Sequence, residues 1–147
     1  MSRLPRSRMR RYVLDANALV GFLEDREVTA AKVEHLLDEA ARHESPLLMS
    51  AVNWGEVMYI EWHFRGEARA RAAAAILFEM PIAVVGIDRD RAFRAAAMKE
   101  KYNLGYADAF AAELAIERGA WLVTADPEFA KVGKALSVYS LPRYEKN

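Results

Sequence analysis

From Tyr12 onward, short apolar runs alternate with longer stretches in which apolar residues recur every three or four positions. The short runs are Tyr12–Leu14, Leu47–Val52, Ile82–Ile87, Trp121–Thr124 and Leu136–Tyr139, and the first four give out at or near a polar residue: Asp15, Asn53, Asp88 and Asp126. Short apolar runs of this length predict strands. The helical period predicts helices over Ala18–Leu23, Thr29–His43, Gly55–Phe64, Ala68–Glu79, Asp90–Tyr102 and Tyr106–Arg118, the last stopped by Gly119 as its C′ residue. Strands separated by helices require right-handed crossovers, so the expected class is α/β, with a central, mostly parallel sheet flanked by helices in three layers.

A parallel sheet has polarity. All strand C-termini, and the N-termini of the helices that follow, share one edge, and ligands bind there. Asp15 closes the first strand, Glu56 is expected in the first turn of the helix after the second strand, Asp108 opens the Tyr106–Arg118 helix, and Asp126 follows the Trp121–Thr124 strand. From Asp108 the helix descends at ~1.5 Å per residue, Gly119 reverses the chain, and a short strand climbs back, returning both carboxylates to one level. Capping accounts for each acid taken singly: Asp126 stands before Pro127, Asn53-Trp54-Gly55-Glu56 has capping-box character, and Asp15 and Asp108 suit helix N-termini. It does not account for four on one edge. Two carboxylates 4–5 Å apart repel by ~3–4 kcal/mol at an effective dielectric near 20, which protonation or a cation must relieve.

Carboxylates with no Cys, and with His35, His43 and His63 all on helical stretches away from that edge, make a hard oxygen site. Mg²⁺ or Mn²⁺ fits it, with Asn17 and Thr124 as supporting neutral groups that either hold the acids or simply cap and turn the chain. Such an ion favours substrates that bring phosphate oxygens, which points to phosphodiester hydrolysis.

These residues resemble the PIN-domain ribonucleases, in particular the VapC-type toxins of prokaryotic toxin–antitoxin pairs. Tyr12-Val-Leu-Asp15-Ala-Asn17-Ala-Leu-Val is similar to the family's opening strand and first acid, and Ser50-Ala-Val-Asn-Trp-Gly-Glu56-Val to its second. Tyr106-Ala-Asp108-Ala-Phe-Ala-Ala and Gly119-Ala-Trp-Leu-Val-Thr124-Ala-Asp126-Pro-Glu-Phe129 are similar to its C-terminal pair. The resemblance runs from about Arg11 to Tyr139. It implies a Mg²⁺- or Mn²⁺-dependent endoribonuclease site at Asp15, Glu56, Asp108 and Asp126, an RNA substrate, a homodimer, and inhibition by a small antitoxin threaded beside the acids. Asn17 stands where relatives often carry Ser or Thr, which affects only how the acids are held.

Composition refines this reading. The 147 residues carry 21 basic and 21 acidic side chains, so no overall field attracts RNA and contact must be local. Candidate contacts are Arg8, Arg10 and Arg11, then Arg65, Arg69 and Arg71, then Arg89, Arg91 and Arg94; each group also reads as a solvated face. Trp54 is a candidate for stacking a base or for packing. Ala72–Phe78, with Trp62 and Phe64, suits either a core helix or a surface covered by a second subunit or antitoxin. Residues 1–10 form an expected basic tail, solvated or phosphate-binding, with Met9 an alternative start, and residues 11–147 one expected domain. The longest apolar run is far short of the ~18 residues of a membrane span, and no secretory cleavage pattern follows the basic stretch, so a cytoplasmic protein with no membrane partner is expected. A phospho-acceptor receiver lacks its late-strand lysine here, and a haloacid-type phosphatase would need an acid at Asn17. The alternative left standing is a non-catalytic RNA- or protein-binding module on the same fold.

Overall fold

The computed structural model describes residues 9–144, so the expected basic tail lies outside the described residues apart from Met9 and Arg10. The chain runs β1 (Tyr12–Leu14), α1 (Ala16–Leu23), α2 (Glu27–Arg42), β2 (Leu47–Ser50), α3 (Ala51–Arg65), α4 (Glu67–Phe78), β3 (Ile82–Val85), α5 (Arg89–Tyr102), α6 (Tyr106–Arg118) and β4 (Trp121–Thr124). A 3-10 helix over Pro127–Ala135 and β5 (Val138–Ser140) complete it. Every strand pairing is parallel, in the order β3-β2-β1-β4-β5.

Alternation along the strands sorts the core into two halves. Val13, Leu48 and Leu122 face one side and pack with Leu104, Phe110 and Leu114 from α6 and the turn before it, and with Phe129 of the 3-10 helix. Leu14, Leu47, Met49 and Val123 face the other and pack with Leu19, Val33 and Leu37 of α1 and α2, and with Val57 and Leu77 of α3 and α4. The expected three-layer α/β architecture is therefore present. Among the described residues no helix is long and apolar enough to cross a membrane.

Several boundaries differ from expectation by a residue or more, β5 among them at Val138–Ser140 instead of Leu136–Tyr139, and two of the differences lie at the edge that carries the acids. β2 ends at Ser50 rather than Val52, because the Ser50 hydroxyl accepts the Val52 N–H at 3.2 Å and starts α3 at Ala51. Asn53 is then inside the helix instead of capping it, and Glu56 sits in the second turn rather than the first. β3 stops at Val85, because its neighbour β2 ends at the paired Ser50 and offers nothing for Gly86 and Ile87 to bond. The 3-10 helix has no apolar periodicity long enough to announce it; Asp126 caps it, Pro127 starts it, and Gly133 at φ 72° interrupts it.

The strand order explains where the site lies. From β1 the chain steps outward through β2 to β3, then returns across the sheet to add β4 on the other side of β1. The crevice between the C-terminal ends of β1 and β4 is thus the topological switch point. The Asp15 N–H donates to the Val123 carbonyl at 3.0 Å across it.

Candidate functional site

A cleft of about 620 Å³ opens at this switch point, and Asp15, Asn17, Glu56 and Asp108 line it. Each acid is brought there by a local cause. Asp15 leaves β1 in extended geometry and caps α1, its Oδ1 accepting the Ala16 N–H at 2.8 Å. Asp108 occupies the first turn of α6, where Gly105 leaves it room: a Cβ on Gly105 would stand 3.1 Å from Asp108 Oδ2. Glu56 projects from the side of α3 with Oε1 accepting from Asn53 Nδ2 at 2.9 Å.

Asn17 and Thr124 tie the two strand ends together. The Thr124 hydroxyl donates to Asp15 Oδ2 at 2.8 Å, and Asn17 Nδ2 donates to Asp15 Oδ2 at 3.1 Å and to Thr124 Oγ1 at 3.2 Å. Asn17 Oδ1 in turn accepts the Ala125 N–H at 3.0 Å, and Thr124 Oγ1 accepts the Asp126 N–H at 3.0 Å. An amide can donate and accept at once, so Asn17 bridges a carboxylate and a backbone N–H that an ionised carboxylate, which only accepts, could not join together.

Electrostatically the site is under strain. Burial pushes the Asp15 carboxyl up to about 7; the Thr124 hydroxyl and the Ala16 N–H oppose that, and the charges of Asp108 and Glu56 add to it. Burial also raises Asp108, to about 6, reinforced by Asp126, Glu56 and Glu128. Among the described residues no Lys, Arg or His forms an ion pair with Asp15, Glu56, Asp108 or Asp126. Among the described residues, negative charge gathers at these acids without a cation paired to them.

Asp126 holds a different position from the other three. It lies on the same edge and acts on Asp108 through its charge, but it is outside the cleft lining, and its Oδ1 caps the 3-10 helix by accepting the Glu128 N–H at 2.9 Å. The donor set consists of oxygens only, which fits a hard divalent cation. Among the described residues, no three His, Asp or Glu side chains are gathered closely enough to hold one ion between them as they stand. The fit is therefore to an ion of Mg²⁺ type, which keeps most of its waters and needs one or two direct carboxylates.

The remaining candidates divide, and one requires correction. Arg91 is not an RNA contact: it is buried, and its Nη1 donates to both oxygens of Glu113 at 2.6 and 2.9 Å. Arg10 and Arg11 lie at the opposite edge of the sheet, around a cavity shared with Arg118 and Trp121. Arg65 lines the acidic cleft, Arg71 pairs with Glu67, and Arg69 and Arg89 are exposed; Arg8 lies outside the described residues. Trp54 packs against the α1–α2 core, which argues against a stacking role. The Ala72–Phe78 stretch is divided, with Ala73 and Leu77 buried and Ile76 and Phe78 exposed, as are Tyr59 and Trp62 of α3.

Sequence reasoning missed Asn53 as a structural element of the site. It is wholly buried, and its Nδ2 donates both to Glu56 and, at 3.2 Å, to the Ala107 carbonyl next to Asp108. Its spacing three residues before Glu56 on a helix is the signal that could have found it. Arg26 and Tyr144 in the cleft lining were also missed, because only tertiary packing brings them there.

No curated protein matches the chain in sequence. By fold it is similar to VapBC from Salmonella typhimurium bound to DNA, with a TM-score of 0.70, 18% identity, and coverage of 90% of this chain and 98% of that one. VapBC2 from Rickettsia felis, bound to a DNA fragment from its promoter, gives 0.68 at 16% identity, covering 88% and 97%. VapC20 of Mycobacterium tuberculosis, a toxin that cleaves the sarcin–ricin loop, gives 0.61 at 18% identity, covering 83% and 95%. The family model for the PIN domain matches residues 12–135, from the first strand through the 3-10 helix beyond Asp126, and the chain belongs to the PIN-domain family.

Proposed function

We propose that this PIN-domain protein is a divalent-metal-dependent endoribonuclease and the toxin of a toxin–antitoxin pair, acting in the cytoplasm. One observation carries the reading: Asp15, Glu56 and Asp108 share the switch-point cleft, and among the described residues no basic side chain pairs with them. In this reading Asp15, Glu56, Asp108 and Asp126 serve Mg²⁺ or Mn²⁺. When bound, the ion supplies charge neutralisation and Lewis acidity for attack of water on an RNA phosphodiester.

The chain's own residues prepare for that chemistry. A carboxylate offers about four acceptor positions. Three of those on Asp15 are taken by Ala16, Asn17 and Thr124, so its orientation is set while one position stays open. Glu56 is tethered through Asn53, and that amide also fixes α6 beside Asp108. Asp126 contributes charge from the rim and holds the 3-10 helix.

The similarity to VapBC structures supports a cognate antitoxin as partner. The exposed Tyr59, Trp62, Ile76 and Phe78 on α3 and α4 support a homodimer that covers them. Residues 11–147 are read as one PIN domain.

The test is incubation of purified protein with structured RNA in Mg²⁺, in excess EDTA, and with Asp15→Asn protein as control. Mg²⁺-dependent cleavage lost in both controls is expected. Binding without cleavage above the Asp15→Asn background would establish the alternative, a non-catalytic RNA-binding module.

A further inference from the structure

A second cavity, of about 760 Å³, opens at the other edge of the sheet. Arg11 stands just before β1, Pro46 just before β2, and Arg118 ends α6 ahead of β4, so the walls are built at the N-terminal ends of three strands. One strand length, about 13 Å for four residues at ~3.3 Å each, separates that edge from the acids. The chemistry proposed for the cleft makes no use of it.

Its charge is the reverse of the cleft's. Arg10, Arg11 and Arg118 line it, against Glu44. Arginines on concave surface elsewhere are matched by acids, as Arg26 is by Glu24 and Arg65 by Glu61, and Arg118 itself pairs with Glu117. Arg10 and Arg11 are different: among the described residues neither forms an ion pair. Both are nonetheless placed. The Arg10 guanidinium lies over the Trp121 ring, 4.1 Å from its centroid, and the Arg11 carbonyl accepts the Trp121 N–H at 2.8 Å. Stacking engages the flat face of a guanidinium and leaves the N–H donors in its plane free for an oxyanion. In a chain of zero formal charge, two adjacent cations kept without acids on a cavity wall are a local patch suited to an anion.

The sequence ahead of the cavity favours one kind of anion. Residues 1–11 hold five Arg and no acid. A free phosphate would use the cavity alone, whereas a linear polyanion also matches the charge of the sequence leading into Met9. We propose that this cavity is a second, non-catalytic site that takes the phosphodiester backbone of a nucleic-acid strand, with Arg10 and Arg11 as its phosphate contacts and Trp121 holding Arg10 in place. Phosphate contacts position a strand without reading its bases, so the site should accept RNA and DNA of one sequence alike.

The test follows amide and indole N–H resonances of the full chain in excess EDTA, which keeps divalent metal out of the cleft. The titrants are an unstructured oligoribonucleotide, DNA of the same sequence, inorganic phosphate and poly-glutamate. Ser45, Gly119 and the Trp121 indole should shift with either strand at similar concentrations, and with phosphate only at far higher ones. Arg10→Gln combined with Arg11→Gln should abolish these shifts and weaken strand binding about tenfold, with the slope of log affinity against log salt reduced by about 1.4, or about 0.7 for each phosphate contact on a single strand. Both side chains are exposed, so the fold should survive, which an unchanged melting temperature will verify. Shifts confined to the acidic edge, or a double variant that binds the strand with wild-type affinity and salt slope, overturn the site. Saturation by inorganic phosphate at the strand's own concentrations overturns the polynucleotide assignment in favour of a free-phosphate site, and tighter binding of poly-glutamate than of either strand overturns it in favour of an acidic protein partner. A chain that shows the expected shifts but never cleaves RNA in Mg²⁺ would lose the nuclease reading and keep this site.

Discussion

Glu113 and Asp15 are both almost fully buried carboxylates, 4% and 3% exposed, and burial raises both above their ordinary range. Their surroundings differ. Glu113, in the middle of α6, receives two hydrogen bonds from Arg91 of α5 and has Arg94 at 3.8 Å, and these cations work against the effect of burial. Asp15 has only neutral donors around it, and the nearest charges acting on it, Asp108 and Glu56, share its sign. Asp108, half-buried five residues before Glu113 on the same helix, likewise has like charges acting on it, those of Asp126, Glu56 and Glu128. A buried acid that brings its own counterion joins two helices. A buried acid gathered with others of its kind is completed only by a proton or by a cation from outside.

Exchange at the acidic end should have the largest effect. Asp15→Asn and Asp108→Asn should each lower Mg²⁺-dependent RNA cleavage by at least about 10²-fold in initial-rate assays, whereas replacing both Arg91 and Glu113 with apolar residues of similar size should leave the rate of the folded protein within a few-fold. Comparable losses from both sets would erase the distinction.

Stability should show the reverse ranking. Arg91→Ala leaves Glu113 buried without its main partner and should cost about 3–5 kcal/mol, lowering the melting temperature by roughly 10 °C or more. The paired change Arg91→Met with Glu113→Leu should recover most of that loss, and millimolar Mg²⁺ should not.

Thr124→Val sharpens the account of how Asp15 is held. It removes the hydroxyl that donates to Asp15 Oδ2, so cleavage should fall about 10- to 100-fold. A hydrogen bond to the charged form has also been lost, so the acidic limb of the pH–rate profile should move to higher pH.

The smallest effect is on the melting curve of the metal-free protein. Asp15 and Asp108 titrate near 7 and 6 in the folded chain and near 3.8 unfolded, so between those values the folded state binds more protons. Their contribution therefore declines as pH rises from about 4 to about 7. Asp108→Asn should flatten that decline and raise the metal-free melting temperature by a few degrees at pH 8, while shrinking the increase that Mn²⁺ produces.

The sequence made the sheet and the edge legible because strand alternation, Gly119 and the acids at the strand and helix ends are local signals. β1, β4 and α6 stand where the pattern predicts. What it could not show were relationships fixed by tertiary packing. Asn17 and Thr124 were both identifiable as supporting residues, yet their direct bond spans 107 positions and has no local signature. Arg91 looked like a solvated cation because helical spacing reports the face of a helix, not the acid that a neighbouring helix places against it. Ser50 took the cap expected of Asn53, and that one-turn difference freed Asn53 to reach both Glu56 and the backbone of α6.

Anomalous diffraction from crystals grown or soaked with millimolar Mn²⁺ examines the central claim most directly. The account predicts a peak in the cleft within reach of Asp15 and Asp108, with Glu56 or Asp126 reaching it directly or through water, and its disappearance in Asp108→Asn crystals. A peak elsewhere on the molecule, or none in this cleft while Mn²⁺ sites appear at other carboxylates, would contradict it.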